Sequence, residues 1–164
     1  MDLYIIRHAD AVPFGHAGVT TDEARPLSRA GLASTALLSR TLKRMAPDLK
    51  TLFTSPLVRA QQTAEGIISQ WGDPAPTLQE TPLLAPAGRK KSILELIRRL
   101  AGESVGLVGH NPDLSELVGW FIGEKRIGID LDKAGVARLT FTDRPSKGGA
   151  VLTWLITRDW LRDE

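Results

Sequence analysis

Two arginines and two histidines supply the residue types that phosphate chemistry needs. Arg7 and His8 are adjacent near the start of the 164-residue chain, and Arg59 and His110 follow much later. Guanidinium groups bind phosphate oxygens in a bidentate manner and stay charged at any working pH. A neutral imidazole can attack phosphorus and form a covalent phosphohistidine that water then resolves. These residues predict a phosphate site with His8 as the nucleophile and Arg7 and Arg59 as phosphate ligands.

Further polar groups join this site if the three segments converge. His110 can hydrogen-bond the same phosphate, and as an imidazolium it would add a third positive charge. Ser55 and Asn111 are candidate substrate-binding residues because they are delivered with Arg59 and His110, respectively. An Arg-His dipeptide or a Ser-Pro pair alone is more often structural than catalytic, so the prediction depends on their joint occurrence.

Three apolar runs predict the strands that position these residues. Residues 3–6 lead into Arg7 and His8, residues 49–54 into Ser55, and residues 105–109 into His110. Such runs, rich in β-forming residues, are typical of strands buried on both faces of a parallel sheet. Ligands of open α/β sheets bind just beyond the carboxyl ends of the strands. We therefore expect the candidate residues to meet at one edge of a sheet.

Helix-start signals follow two of these strands. Ser55-Pro56 and Asn111-Pro112 each combine a capping residue with proline at the first helical position. Apolar residues at helical spacing follow both pairs, and Arg59 lies in the first turn of the earlier helix. The free N–H groups at both helix starts are expected to add to the phosphate site.

The connecting segments give further expectations. After the polar, glycine-bearing residues 9–26, Ser28 is the predicted N-cap of a helix, with Leu27 packing on Leu32. The proline-rich residues 73–88 are expected to be mostly loop, with a short strand near Leu78 and a helix afterwards.

The last third of the chain changes to alternating apolar and polar residues. This alternation covers residues 137–142 and 152–156 and predicts two half-buried antiparallel strands. Strand-helix alternation followed by a hairpin is typical of a three-layer α/β/α sandwich. We therefore expect an α/β fold with a mostly parallel sheet and an antiparallel edge, in a single domain of residues 1–164.

Composition argues against several other classes of protein. The chain carries 21 Lys and Arg against 19 Asp and Glu, and a net charge of +2 is too small for a nucleic-acid-binding protein. It has no cysteine and three histidines without an i, i+4 pair, so no metal site is expected and His16 is expected to be exposed. No apolar run suits a signal peptide or a membrane span, which predicts a cytoplasmic protein without membrane association.

Three motifs in this order resemble those of the histidine phosphatase superfamily, which is also called phosphoglycerate mutase-like. Its Arg-His-Gly signature is similar to IRHADA at residues 6–11, its second arginine motif to TSPLVRAQQTA at residues 54–64, and its second histidine motif to VGHNP at residues 108–112. Within the superfamily the chain is most similar to the SixA-type phosphohistidine phosphatases. That similarity includes its compact size, the Asp10-Ala11 pair, and RPLS at residues 25–28 followed by Gly31.

The resemblance implies a phosphoglycerate mutase-like fold and phosphatase activity without a metal or other cofactor. It implies that His8 becomes phosphorylated and that Arg7, Arg59 and His110 form the phosphate pocket. The implied substrate is phosphohistidine of a protein, for instance a histidine-containing phosphotransfer domain. Ala9 departs from the family pattern, in which glycine is commoner, and leaves less room beside the nucleophile.

No motif fixes the proton donor, for which Glu80 and Asp10 are the candidates. Imidazole leaves readily, so a missing acid would favour phosphohistidine over alkyl phosphate esters as the substrate. The segment of residues 73–88 is too short for an inserted domain. We therefore expect an uncovered pocket that admits a side chain of a folded partner.

Two other functions fit the same residues. One is a small-molecule phosphatase that acts on a phosphate ester such as a sugar phosphate or a nucleotide. The other is a catalytically silent module that binds phosphorylated groups but lacks a competent acid. A mutase fits less well, because the chain has no room for the cap and acid segments that those enzymes carry.

Overall fold

A six-stranded sheet forms the centre of the protein in the computed structural model, which describes residues 1–16, 18–100, 102–124 and 127–161. The strands are β1 (Asp2–Arg7), β2 (Leu49–Thr54), β3 (Thr77–Glu80), β4 (Ser104–Gly109), β5 (Val136–Phe141) and β6 (Ala150–Ile156). Their order is β3-β2-β4-β1-β5-β6. The first four strands in this order are parallel, whereas β5 pairs antiparallel with both β1 and β6. The predicted mostly parallel sheet with an antiparallel edge is confirmed.

Helices cover both faces of this sheet. They are α1 (Arg29–Met45), α2 (Val58–Ser69), α3 (Lys90–Arg98) and α4 (Asp113–Phe121). In β1, Leu3 and Ile5 belong to the core that includes α3 and α4, whereas Tyr4 and Ile6 belong to the core that includes α1 and α2. Side chains of a strand alternate between faces, so a strand buried on both sides is a continuous apolar run. The predicted three-layer sandwich is therefore confirmed.

The start of α1 is tied to the loop that follows β1. Ser28 is the N-cap as predicted, and its Oγ accepts a hydrogen bond from Gly31 N at 3.0 Å and donates one to Asp10 Oδ2 at 2.8 Å. A Cβ at Gly31 would lie 2.0 Å from the Asp10 carbonyl oxygen, so only glycine fits there. The predicted packing of Leu27 on Leu32 is wrong, because Leu32 is 57% exposed and lies outside the core that holds Leu27.

Two helices begin later than the sequence predicts. The N-cap of α2 is Leu57 rather than Ser55, and that of α4 is Pro112 rather than Asn111. The side chains expected to cap these helices are used elsewhere. Ser55 Oγ lies 2.8 Å from His110 Nε2, and Asn111 Nδ2 donates to the Leu131 carbonyl at 2.9 Å.

The start of α2 also offers fewer free N–H groups than expected. Leu57 N donates to Ser55 Oγ at 3.3 Å, and Val58 N donates to the Glu23 carbonyl at 3.1 Å. A phosphate at this edge would therefore depend more on side chains than on the start of α2.

The remaining predicted elements agree with the structure. The short strand near Leu78 is β3, and it precedes a short 3-10 helix, Pro82–Leu84, and then α3. The alternating segments form β5 and β6. Among the described residues, no helix has both the length and the apolar character needed to cross a membrane.

Candidate active site

The carboxyl ends of β1, β2 and β4 bring the predicted residues to one place. β4 lies between β1 and β2. Its carbonyl groups also accept hydrogen bonds from the first residue after each of those strands. His8 N donates to the Gly109 carbonyl at 3.0 Å, and Ser55 N donates to the Val108 carbonyl at 3.0 Å. As a result, the rings of His8 and His110 have centroids 5.0 Å apart. The predicted convergence is therefore present in the structure.

The hydrogen bonds of His8 assign its tautomer. Its Nδ1 lies 2.7 Å from the Ala9 carbonyl oxygen, which can only accept, so Nδ1 carries the proton. Its Nε2 lies 3.2 Å from Arg59 Nε, which can only donate, so Nε2 presents a lone pair. The ring is thus held in the form in which Nε2 can act as a nucleophile.

The surroundings of His8 also keep it unprotonated. Burial lowers the pKa of His8 to about 4, and the positive charges of Arg59, Arg7 and Lys133 act in the same direction. The hydrogen bond to the Ala9 carbonyl partly opposes this shift. An imidazole with this pKa is almost wholly neutral near pH 7, so its lone pair is available without a separate base.

We expect the Nε2 resonance of His8 to titrate with a midpoint near pH 4, measured by 15N NMR of the histidine side chains. At pH 5 a pKa of about 4 leaves about nine-tenths of His8 neutral, whereas the ordinary value leaves only about 3% neutral. Nucleophilic activity should therefore persist to about pH 5 and fall as the pH drops through 4. A midpoint near 6.5 would contradict this assignment.

Fold stability must be followed in the same titration. The unfolded chain protonates its histidines near pH 6.5, whereas folded His8 does so only near 4 and His110 near 3. Stability is therefore greatest above 6.5 and declines as the pH falls through this window. Circular dichroism at each pH separates unfolding from protonation of the native state, and His8→Ala assigns the resonance.

Arg59 is buried beside His8, with 6% of its side chain exposed. All three of its nitrogens are engaged. Nε donates to His8 Nε2, Nη1 donates to the Asp22 carbonyl at 2.6 Å, and Nη2 donates to Asp22 Oδ2 at 2.9 Å. Asp22 belongs to the loop between β1 and α1. The guanidinium is thus fixed against the His8 ring by Asp22 of this loop.

Arg7 and His110 each retain a buried donor or acceptor without a partner within the described part of the chain. Arg7 Nη1 donates to the Leu131 carbonyl at 3.1 Å, whereas its Nε has no hydrogen bond. His110 Nδ1 is likewise buried and unpaired. Buried polar atoms are nearly always hydrogen-bonded, and those left over at a polar site are candidates for ligand contacts. Both atoms are suited to phosphate oxygens.

His110 is neutral in the free protein. Burial and the neighbouring His8 lower the pKa of His110 to about 3, and the charge of Asp22 only partly opposes this. The third positive charge that a protonated His110 would add is therefore absent from the free protein. Because Ser55 Oγ already accepts from Leu57 N, its hydroxyl proton can go to His110 Nε2, which leaves an N–H donor on Nδ1.

Asn111 supports the site from outside rather than facing it with its amide nitrogen. Its Nδ2 and Arg7 Nη1 donate to the same Leu131 carbonyl. Its Oδ1 is buried and unpaired within the part of the chain that the structure describes. Asn111 therefore orients Arg7 through Leu131, and its predicted contact with substrate stays a prediction.

The two candidate proton donors are both engaged in other contacts. Asp10 accepts from Ser28 Oγ and forms a short ion pair with Lys133 Nζ, and the Lys133 contact holds the pKa of Asp10 below its usual range. Glu80 is exposed and accepts from Gln61 Nε2 at 2.5 Å. A lowered pKa makes Asp10 a poor acid, so its contacts favour a structural role. Neither assignment as proton donor goes beyond a prediction.

Sequence reasoning missed two residues that shape this site. Asp22 binds Arg59, as described above, and Thr63 Oγ1 joins α2 to the nucleophile loop. Thr63 Oγ1 accepts from Ala9 N at 3.1 Å and donates to the Arg59 carbonyl at 2.7 Å. Thr63 lies in the second arginine motif, one helical turn after Arg59, and that i, i+4 spacing was the available signal. His16 is exposed, as predicted.

Across residues 1–16, 18–100, 102–124 and 127–161, no group of three or more His, Cys, Asp or Glu side chains is placed to hold a metal ion.

Comparisons with known proteins agree with this geometry. A family model described as histidine phosphatase superfamily (branch 1) matches residues 3–85. An uncharacterised protein of Picosynechococcus sp. is 33% identical over 85% of this chain and 84% of its own length. The phosphohistidine phosphatase SixA of Escherichia coli is 28% identical over 76% of this chain and 73% of its own length.

Solved structures extend the likeness to the whole fold. The structure of a protein histidine phosphatase SixA complexed with tungstate superposes with a TM-score of 0.82 and is 23% identical. The match covers 99% of this chain and 100% of that one. The predicted phosphoglycerate mutase-like architecture is thus confirmed.

Proposed function

Because the chain belongs to the histidine phosphatase superfamily (branch 1), we propose that it is a phosphatase that works through a covalent phosphohistidine at His8. The observation that carries this proposal is the lone pair of His8 Nε2. It is fixed by the Ala9 carbonyl on the far side of the ring and lies beside the buried Arg59 guanidinium. A neutral imidazole held in this way is an activated nucleophile.

In the first step, the lone pair of His8 Nε2 gives up its hydrogen bond from Arg59 Nε and attacks phosphorus as the bond to the leaving group breaks. The leaving group takes the electron pair, and the new P–N bond leaves the His8 ring as a phosphorylated imidazolium. The His8 ring then carries a full positive charge. Its Nδ1–H therefore makes a stronger hydrogen bond to the Ala9 carbonyl. Arg7 Nε, the Arg59 guanidinium and His110 Nδ1 are the donors for the phosphate oxygens, where charge develops.

In the second step, water attacks phosphorus from the side that the leaving group has vacated. The P–N bond breaks, and its electron pair returns to His8 Nε2. One hydrogen of the water stays on its oxygen as a P–OH group of the released inorganic phosphate, and the other proton passes to a second phosphate oxygen or to solvent. His8 regains its starting tautomer, because Nδ1 has stayed bonded to the Ala9 carbonyl throughout.

The substrate that this site supports best is phosphohistidine of a protein. Imidazole departs from phosphorus readily, so the reaction needs little help from a general acid. Asp10 is held in an ion pair with Lys133, and Glu80 is bonded to Gln61. The segment of residues 73–88 contains β3 and one short 3-10 helix, with no inserted domain to cover the pocket. The Escherichia coli relative is named a phosphohistidine phosphatase, and that name supports the same class of substrate here.

We expect kcat/KM to be at least about a hundredfold higher for a phosphorylated histidine-containing phosphotransfer domain than for p-nitrophenyl phosphate or a sugar phosphate. Release of inorganic phosphate gives both rates under the same conditions. The same domain carrying phosphoserine in place of phosphohistidine is the matched control, because it keeps the docking surface and changes only the leaving group. Preference for the small esters would instead support the small-molecule phosphatase.

A further inference from the structure

Asp22 occupies the part of Arg59 that a phosphate would use. Its carbonyl and one carboxylate oxygen accept from the two terminal nitrogens of the guanidinium, at 2.6 and 2.9 Å. Carboxylates and phosphates bind this face of arginine with the same paired geometry. A phosphate can therefore bind this end-on edge of Arg59, with one oxygen on each terminal nitrogen, only if Asp22 leaves it.

We propose that Asp22 is a positioning residue that substitutes for phosphate on Arg59 in the free protein and exchanges with it during turnover. This inference rests on the proposed function, since it takes Arg59 as a ligand of the substrate phosphate. Asp22 thereby keeps Arg59 aligned against His8 while the site is empty, and it lowers the affinity of the site for phosphate.

The difference in burial between the partners suits an exchange. The side chain of Arg59 is 6% exposed, whereas that of Asp22 is 51% exposed. A buried guanidinium without a partner is costly, so Arg59 needs an anion at every stage. The half-exposed carboxylate, by contrast, can return to water at little cost. Asp22 is thus the partner that can move.

Arg25 provides a second partner that Asp22 keeps after it leaves Arg59. Arg25 Nη1 donates to Asp22 Oδ1 at 2.8 Å, and Arg25 Nε anchors to the Val12 carbonyl at 2.7 Å. The two oxygens of the carboxylate are therefore divided between two arginines. When phosphate takes Arg59, Asp22 loses one contact and retains the other.

The carboxylate is charged whenever the proposed phosphatase is active. The Arg25 contact, with a further contribution from Arg59, holds the pKa of Asp22 below its usual range. Its Oδ2 lies 2.9 Å from Nη2 of Arg59, the guanidinium that also contacts His8, so this charge is next to the pocket. A bound phosphate therefore meets a neighbouring negative charge, and this favours release of the product.

The test compares Asp22→Asn with the wild type and with Glu23→Gln, using inorganic phosphate as the probe. Asparagine keeps the shape and the carbonyl of the side chain but removes the charge. Glu23 is the adjacent exposed carboxylate, and its backbone contact to Val58 survives the substitution. Phosphate binding is followed by side-chain 15N NMR, which measures weak affinities and does not depend on turnover.

We expect Asp22→Asn to bind inorganic phosphate about fivefold more tightly than the wild type, with KM lowered in parallel, and Glu23→Gln to be unchanged. Unchanged or weaker phosphate binding by Asp22→Asn would overturn the exchange, because a merely structural loop contact predicts that result. If the wild type neither binds phosphate nor releases it from any substrate, the proposed function fails as well. If the wild type binds phosphate and releases it from substrate, but Asp22→Asn binds phosphate no more tightly, only the exchange is contradicted and the proposed function stands.

Discussion

We expect replacement of His8 with alanine to abolish both turnover and the labelled phosphoprotein intermediate. When the wild type is mixed with radiolabelled substrate and quenched rapidly, label should remain on the protein in an acid-labile, base-stable form. The His8→Ala variant lacks the proposed nucleophile, Nε2 of a ring held between the Ala9 carbonyl and Arg59. We expect kcat/KM to fall by a factor of roughly 10⁴ or more.

The matched control for this loss is His16→Ala. His16 is an exposed histidine in the loop after β1, and its side chain has no assigned role in the site. That variant should carry the same label and turn over at the wild-type rate. A wild type that binds phosphorylated protein without label or turnover would instead identify the chain as a silent binding module.

Replacing Arg59 with alanine should lower kcat/KM roughly a thousandfold and weaken phosphate binding at the same time. The variant loses the donor to His8 Nε2 and the largest buried positive group at the phosphate. Phosphate release and the phosphate titration measure the two effects separately. Arg59→Lys should recover only part of either, because an ammonium group cannot serve His8 and a phosphate in one plane.

Arg99→Ala is the control for general loss of positive charge. Arg99 is exposed at the end of α3, on the face of the sheet opposite α2. Its removal should leave activity unchanged. Because Arg59 is buried, its variants also need a melting temperature, and wild-type activity in a folded Arg59→Ala protein would contradict the proposed pocket.

The central strands were predictable because a strand buried on both faces of the sheet is a continuous apolar run in the sequence. The convergence of His8, Arg59 and His110 was also predictable, because the carboxyl ends of neighbouring parallel strands lie at the same edge of the sheet. The helix starts were misplaced for an informative reason. Ser55 and Asn111 are good capping residues, but their side chains bind His110 and the Leu131 carbonyl instead. The hydrogen bonds made within the site therefore outweigh the capping preference of these two residues.

Asp22 could not be found by the same reasoning. It lies in a loop without helical or strand periodicity, 37 residues before the arginine that it binds. A single carboxylate in a polar segment is usually solvated, so nothing in its neighbourhood marks it. The neutrality of His110 was equally out of reach, because it depends on burial and on the charges around the ring rather than on any motif.

The contact between His8 and the Ala9 carbonyl limits which substitutions can inactivate the protein during evolution. The acceptor belongs to the main chain, so no ordinary side-chain substitution at position 9 removes it. Ala9 itself is fully buried, and its N–H is bonded to Thr63 Oγ1, so selection at this position acts on size. A saturation library should therefore retain glycine and alanine at position 9 and lose bulky residues. Substitution of His8 or Arg59, whose side chains make the contacts themselves, should by contrast be lost from the active part of such a library.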